Sequence, residues 1–96
     1  MAHRLIWSPQ ALADVEAIAE YIEKDSPFYA RAVVAKIVAV TRHLGQFPLS
    51  GRIVPEKSDE SFREVFAFSF RVIYRVDETT VMVVAVVHGK RLLGTV

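Results

Sequence analysis

Ser-Pro occurs at residues 8–9 and again at residues 26–27, and each time the apolar residues that follow recur at three- and four-residue spacing. Serine caps free backbone N–H groups at a helix start, and proline fits the first helical position, where no intrahelical donor is required. Leu12, Val15, Ile18, Ala19 and Ile22 form one stripe, with Asp14, Glu16, Glu20 and Glu23 around the rest, which predicts an amphipathic helix running to about Lys24. Ala30, Val33, Val34, Ile37, Val40 and Leu44 predict a second, longer helix ending near Leu44, with Gly45 as the left-handed residue that closes it. So short a joint makes the pair an antiparallel hairpin. Ahead of the first cap, His3 to Trp7 reads as a short strand.

From Gln46 to Ser61 the periodicity stops, and Pro48, Gly51 and Pro55 interrupt any regular element, so a long connecting loop is expected there. Loops of that length in small domains tend to carry function. Beyond it, FREVFAF at 62–68, FRVIYRV at 70–76 and VMVVAVVHG at 81–89 are rich in β-branched and aromatic residues and predict three strands. The last has almost no polar position, as a central strand covered on both faces would. The predicted order is β-α-α-β-β-β, an α+β fold with a helical hairpin on one face of a small antiparallel sheet. A length of 96 residues makes this one domain, residues 1–96.

Alternation along FRVIYRV separates Phe70, Val72, Tyr74 and Val76 from Arg71, Ile73 and Arg75. An even-numbered turn to the last strand would pair Val76 with Val81, Arg75 with Met82, Arg71 with Val86 and Ser69 with His88. The set containing Phe70, Val72, Tyr74, Val81, Val83, Ala85 and Val87 is the more apolar, so it should meet the helices. The opposite face then turns Arg71, Arg75 and His88 outward, with Lys90 and Arg91 just beyond, as a compact set of cations able to hold phosphates. Ile73, Met82, Val84 and Val86 lie between those charges and leave apolar surface for a protein partner.

Formal net charge is +1, so no overall field drives the chain onto nucleic acid or anionic lipid. The distribution is uneven: residues 1–60 carry 7 Lys/Arg against 8 Asp/Glu, and residues 61–96 carry 5 against 3, which makes the C-terminal third the basic part. Cysteine is absent, which excludes disulfides and thiolate chemistry and points to the cytoplasm. The longest apolar run, residues 81–87, is far short of a membrane span, and the N-terminus does not read as a signal peptide.

Among titratable groups, His88 is the one neutral-pH titrator near the basic patch. Tyr74 falls on the helix-facing set and reads as core. Glu64 reads as a surface partner of Arg63, Glu56 as a loop carboxylate, Trp7 as a packing residue and Gly51 as a turn glycine. His3 and His43 have no partner at metal-ligand spacing, so neither a metal nor any other cofactor is expected.

Four stretches together resemble the RelE/ParE superfamily of bacterial toxins from type II toxin–antitoxin pairs: SPQALADVEAIAEYI at 8–22, FPLSGRIVPE at 47–56, REVFAFSFRVIYRV at 63–76 and VVHGKR at 86–91. The resemblance covers roughly residues 3–93. It implies a toxin held off by a cognate antitoxin, with one of two targets. RelE-like members cut mRNA on the ribosome with basic side chains around the scissile phosphate; ParE-like members act on DNA gyrase. Arg71 and Arg91 match the two nuclease arginines, and His88 would be the candidate acid/base. No counterpart follows Arg91 of the C-terminal acid/base group that those nucleases commonly carry, which favours a ParE-like protein that binds gyrase. On that reading Arg71, Arg75, Lys90 and Arg91 contact the target, and Phe28, Tyr29, Met82 and Val84 contact the antitoxin. A chain that keeps the fold and antitoxin binding without toxicity is the third possibility.

Overall fold

Both helices begin on their serines. In the computed structural model, which describes residues 2–91, the Ser8 hydroxyl accepts from the Ala11 N–H (3.0 Å) and the Ser26 hydroxyl from the Tyr29 N–H (3.1 Å). Strand β1 (Arg4–Trp7) leads into α1 (Pro9–Glu23) and α2 (Pro27–Thr41), followed by β2 (Arg52–Ile53), β3 (Phe62–Ala67), β4 (Phe70–Val76) and β5 (Thr80–His88). Helix α2 stops three residues before Leu44. The Thr41 hydroxyl bonds back to the Val38 carbonyl (2.7 Å) and the Arg42 N–H reaches only to Ala39, so the last turn tightens and the chain leaves the helix. Gly45 is not a left-handed cap, since no described glycine has positive φ. Its carbonyl accepts from the His3 N–H at 2.7 Å, and a Cβ there would lie 2.8 Å from the His3 carbonyl, so glycine is needed for close approach to β1.

The sheet order is β1-β5-β4-β3-β2. The three ladders from β2 to β5 are antiparallel, as expected, while β1 runs parallel to β5, which makes the sheet mixed. The two helices supply the long connection that a parallel neighbour needs. The two-residue β2 lies inside the stretch expected to be loop throughout.

Pairing of β4 with β5 begins as predicted, Val76 with Val81 and Arg75 with Met82, but a bulge beside Ile73 and Tyr74 shifts it by one. Ile73 then pairs with Ala85, Arg71 with Val87 and Phe70 with His88. The face assignments past the bulge are therefore corrected. Val86 packs with Val33, Ile37, Val72 and Val83 beneath the helices, whereas Ala85 and Val87 join Ile73, Val54 and Phe62 on the far side. Helix α1 holds the irregularity: the Ser8 hydroxyl donates to the Val84 carbonyl (3.3 Å), and the Asp14 carboxylate accepts the Val86 N–H (2.9 Å) just past the end of β1.

The turn between β4 and β5 is organised by the Asp77 carboxylate, which accepts from the Thr79 and Thr80 N–H groups and the Thr80 hydroxyl at 2.7–2.9 Å. These bonds, that from the Thr79 backbone foremost, lower its pKa from 3.8 to about 2. Because the folded state binds this proton less tightly, the carboxylate's contribution to stability is complete above about pH 4 and fades as pH falls through about 2. Thermal melts across that window should show the Tm difference between the parent and Asp77→Asn shrinking as pH falls; a difference constant with pH would contradict this.

Candidate functional site

Arg71 does point away from the helices, yet it is not a free cation. It is only 4% exposed, and beside it Glu64 is 1% exposed. Arg71 Nε donates to Glu64 Oε1 at 2.6 Å, while Nη1 and Nη2 grip the two oxygens of Glu56 at 2.7 Å each. A further bond runs from Nη1 to the Arg91 carbonyl at 3.1 Å. The second oxygen of Glu64 accepts from Arg52 Nε at 2.5 Å, which gives a chain Glu56–Arg71–Glu64–Arg52 across the outer face of β4, β3 and β2. The Glu56 hydrogen bonds, helped by those of Glu64, raise the Arg71 pKa further above its ordinary value against the opposing effect of burial. Two carboxylates already engage the Arg71 guanidinium, and with Arg52 the four-residue chain sums to zero charge, so it offers no net attraction to a phosphate.

This geometry follows from strand alternation. A two-residue turn at 68–69 sets Phe66 opposite Arg71 and Glu64 opposite Ile73, so Glu64 is the diagonal neighbour of Arg71 on the same face. Arg63 must then point to the other side, where it donates to the carbonyls of Leu49, Gly51 and Glu60. The reading of Glu64 as a surface partner of Arg63 is corrected on this ground: adjacent strand residues cannot share a face. Completing the β3–β4 register would have revealed the Glu64–Arg71 pair. Glu56 gave no such signal, because its position depends on the path of the loop.

The remaining predicted cations surround this cluster without entering it. Arg75, Lys90 and Arg91 are exposed. Lys57 lies over the Phe62 ring (4.6 Å) and Arg52 over the Phe66 ring (5.1 Å). His88 was expected diagonal to Arg71, but the bulge pairs it with Phe70, and its ring meets the Phe70 ring edge-on at 5.7 Å. Its Nδ1 accepts from the Lys90 N–H at 3.2 Å. Pairing with Phe70 in place of Ser69 puts His88 on the face opposite Arg71, so the two do not converge on one point.

Tyr74 is fully buried, as its alternation required, and its hydroxyl donates to the Pro48 carbonyl and accepts from the Gly51 N–H, both at 2.9 Å. Burial raises its pKa above 10.0. Phe28 and Tyr29 are exposed at the start of α2, whereas Met82 and Val84 are half-buried on β5. Along the outer side of the hairpin, Trp7, Leu12, Val15, Glu16, Val34 and Val38 line an apolar groove of about 500 Å³ that the sequence reading missed. Its signal was Leu12, a stripe residue that the core does not bury, together with Val38, an exposed apolar residue outside the predicted stripe of α2. Among the described residues no three His, Asp or Glu side chains are placed to hold a metal ion.

The family described as the ParE toxin of the type II toxin–antitoxin system, parDE, matches residues 5–93. Toxin RelE2 of Caulobacter vibrioides is 30% identical over 90 residues, spanning 93% of this chain and 98% of that protein. Putative toxin Y4kP of Sinorhizobium fredii is 43% identical over 49 residues, 51% of each chain. Among solved structures, one chain of the chromosomal ParDE system from P. aeruginosa aligns with a TM-score of 0.75 at 23% identity, covering 91% of this chain and 96% of that one. The E. coli DinJ–YafQ toxin–antitoxin complex aligns with a TM-score of 0.65 at 17% identity, covering 98% and 100%. At those identities the structural likeness is one of fold.

Proposed function

The chain belongs to the ParE toxin family of type II toxin–antitoxin systems, and from that membership we propose that it acts by binding DNA gyrase and not by cutting RNA. The observation that carries this reading is the state of Arg71. A nuclease of the RelE kind needs that guanidinium for the scissile phosphate, and here Glu56 and Glu64 already occupy it. General acid–base chemistry also needs donor and acceptor within reach of one reacting group. His88, turned to the opposite face by the bulge, is not placed for that. Arg75, Lys90 and Arg91 are left to contact a target as exposed cations.

The cognate antitoxin is the second partner. Solved relatives are named as toxin–antitoxin systems or complexes, and the concave apolar groove between α1 and α2 suits a segment that orders as it inserts apolar side chains. This moves the antitoxin contact from Phe28, Tyr29, Met82 and Val84 to the groove residues Leu12, Val15, Val34 and Val38. One observation favours the nuclease alternative: the similarity to toxin RelE2 extends over nearly the whole chain. That mechanism would require Glu56 to let go of Arg71 when a phosphate arrives.

Adding antitoxin-free protein to a gyrase supercoiling assay and to a ribosome translating a defined message separates the two. Loss of supercoiling with an intact message is expected. Message cleaved within codons, with supercoiling unaffected, would refute the gyrase reading.

A further inference from the structure

Three aromatic side chains project at the corner where the start of α2 meets the β3–β4 turn. Phe28 is 76% exposed and Phe68 53%, with Tyr29 close to half exposed. The Tyr29 and Phe68 rings lie 6.4 Å apart, so helix and turn form one continuous surface. Phe68 is also the only described non-glycine residue with positive φ, at 54°. A bulky side chain in that region carries a steric cost that glycine would avoid. The core gains little in return, because about half of the ring stays in solvent and Phe68 joins none of the core clusters. An exposed aromatic held in a strained turn indicates that its contact lies outside the chain.

The surroundings indicate the chemistry of that contact. Residues 26–55 include Arg31, Lys36, Arg42 and Arg52 and no acid. Lys36 lies seven residues after Tyr29 and so shares its flank of α2. Asp25, at the hairpin joint, lies three residues before Phe28, and Glu64, four residues before Phe68, turns to the other face of the sheet beside Arg71. The rings project into solvent and do not line the groove formed by Trp7, Leu12, Val15, Val34 and Val38. Projecting rings need a pocket that is already formed, which a folded protein offers and a disordered segment does not. Apolar rings outnumber cations at the corner, which favours protein over nucleic acid.

We propose that Phe28, Tyr29 and Phe68, with Lys36 at their margin, anchor this toxin in an acid-rimmed pocket of its folded protein target. This rests on the gyrase reading above and adds an anchoring surface to the exposed cations named there.

The test compares the parent with Phe28→Ser, Phe68→Gly and Lys36→Glu in the gyrase supercoiling assay, with thermal melts and binding of the cognate antitoxin as folding controls. Each variant should keep its Tm and its antitoxin complex, and each ring variant should need about tenfold or more protein for half-inhibition. Lys36→Glu should weaken inhibition as well, and Lys36→Arg should restore it. If the parent inhibits gyrase and the ring variants inhibit equally well, the surface assignment is overturned and the gyrase reading stands. Variants that lose antitoxin and still inhibit would assign the corner to the antitoxin and overturn the proposal. A parent that cleaves ribosome-bound message and leaves gyrase active would remove the premise, and the proposal with it.

Discussion

Arg71→Ala should destabilise the fold by about 3–5 kcal/mol, the range for breaking a buried ion pair from one side. The substitution would leave Glu64 buried with Arg52 as its one remaining ion-pair partner, and would take from Glu56 the two hydrogen bonds that tie residues 54–57 to the sheet. A small domain has about 5–15 kcal/mol in total, so much of the population should unfold on mild heating. The control is a double variant, Arg71→Met with Glu64→Leu, which removes both charges from the buried centre and should recover a large part of the loss. Urea unfolding of the parent, both single variants and the double measures the coupling. Were Arg71 a solvated cation reserved for a target, the single substitution would stay within about 0.5 kcal/mol of the parent.

Gly51→Ala is the second large effect, and here the sign alone decides. Gly51 does not have positive φ. If it were an ordinary turn glycine, alanine would stabilise by about 0.4–1 kcal/mol through the unfolded chain. Its added Cβ would instead lie 2.6 Å from both the Glu64 carbonyl oxygen and the Tyr74 hydroxyl. Neither can move cheaply. The carbonyl belongs to a sheet strand, and the hydroxyl is fixed between Pro48 and the Gly51 N–H itself. Overpacking together with disturbance of a buried hydrogen bond should cost about 2–4 kcal/mol. In a Tyr74→Phe background one of the two obstructions is gone, so the same alanine should cost less, and the difference between the two chemical-denaturation midpoints reads that out.

The elements were legible in the sequence because each carries a strong local signal: Ser-Pro before each helix, three- and four-residue apolar spacing within, and period-two alternation in FRVIYRV. The bulge was not legible. Along VMVVAVV every residue is apolar, so no change in polarity marks where one extra residue enters β5, and that residue reversed the predicted faces of Ala85, Val86, Val87 and His88. What fixes it lies 72 residues away in sequence, in the Asp14 carboxylate that accepts the Val86 N–H. The site failed in a related way. Arg71 was placed on the correct face, but a face assignment does not say what covers it. The covering carboxylate, Glu56, comes from a loop whose path depends on the buried Val54 and on Tyr74 reaching Pro48, long-range contacts with no periodic trace.

Whether Arg71 can serve a phosphate is most directly read from its own side chain. In a ¹⁵N-labelled sample the Arg71 Nε–H, hydrogen-bonded to buried Glu64, should give a resolved resonance that exchanges slowly with solvent. Titration with inorganic phosphate, and then with a short RNA, should leave both its shift and its exchange rate unchanged. A shift that saturates with added phosphate or RNA, together with loss of exchange protection as Glu56 is displaced, would contradict the binding-only toxin argued above.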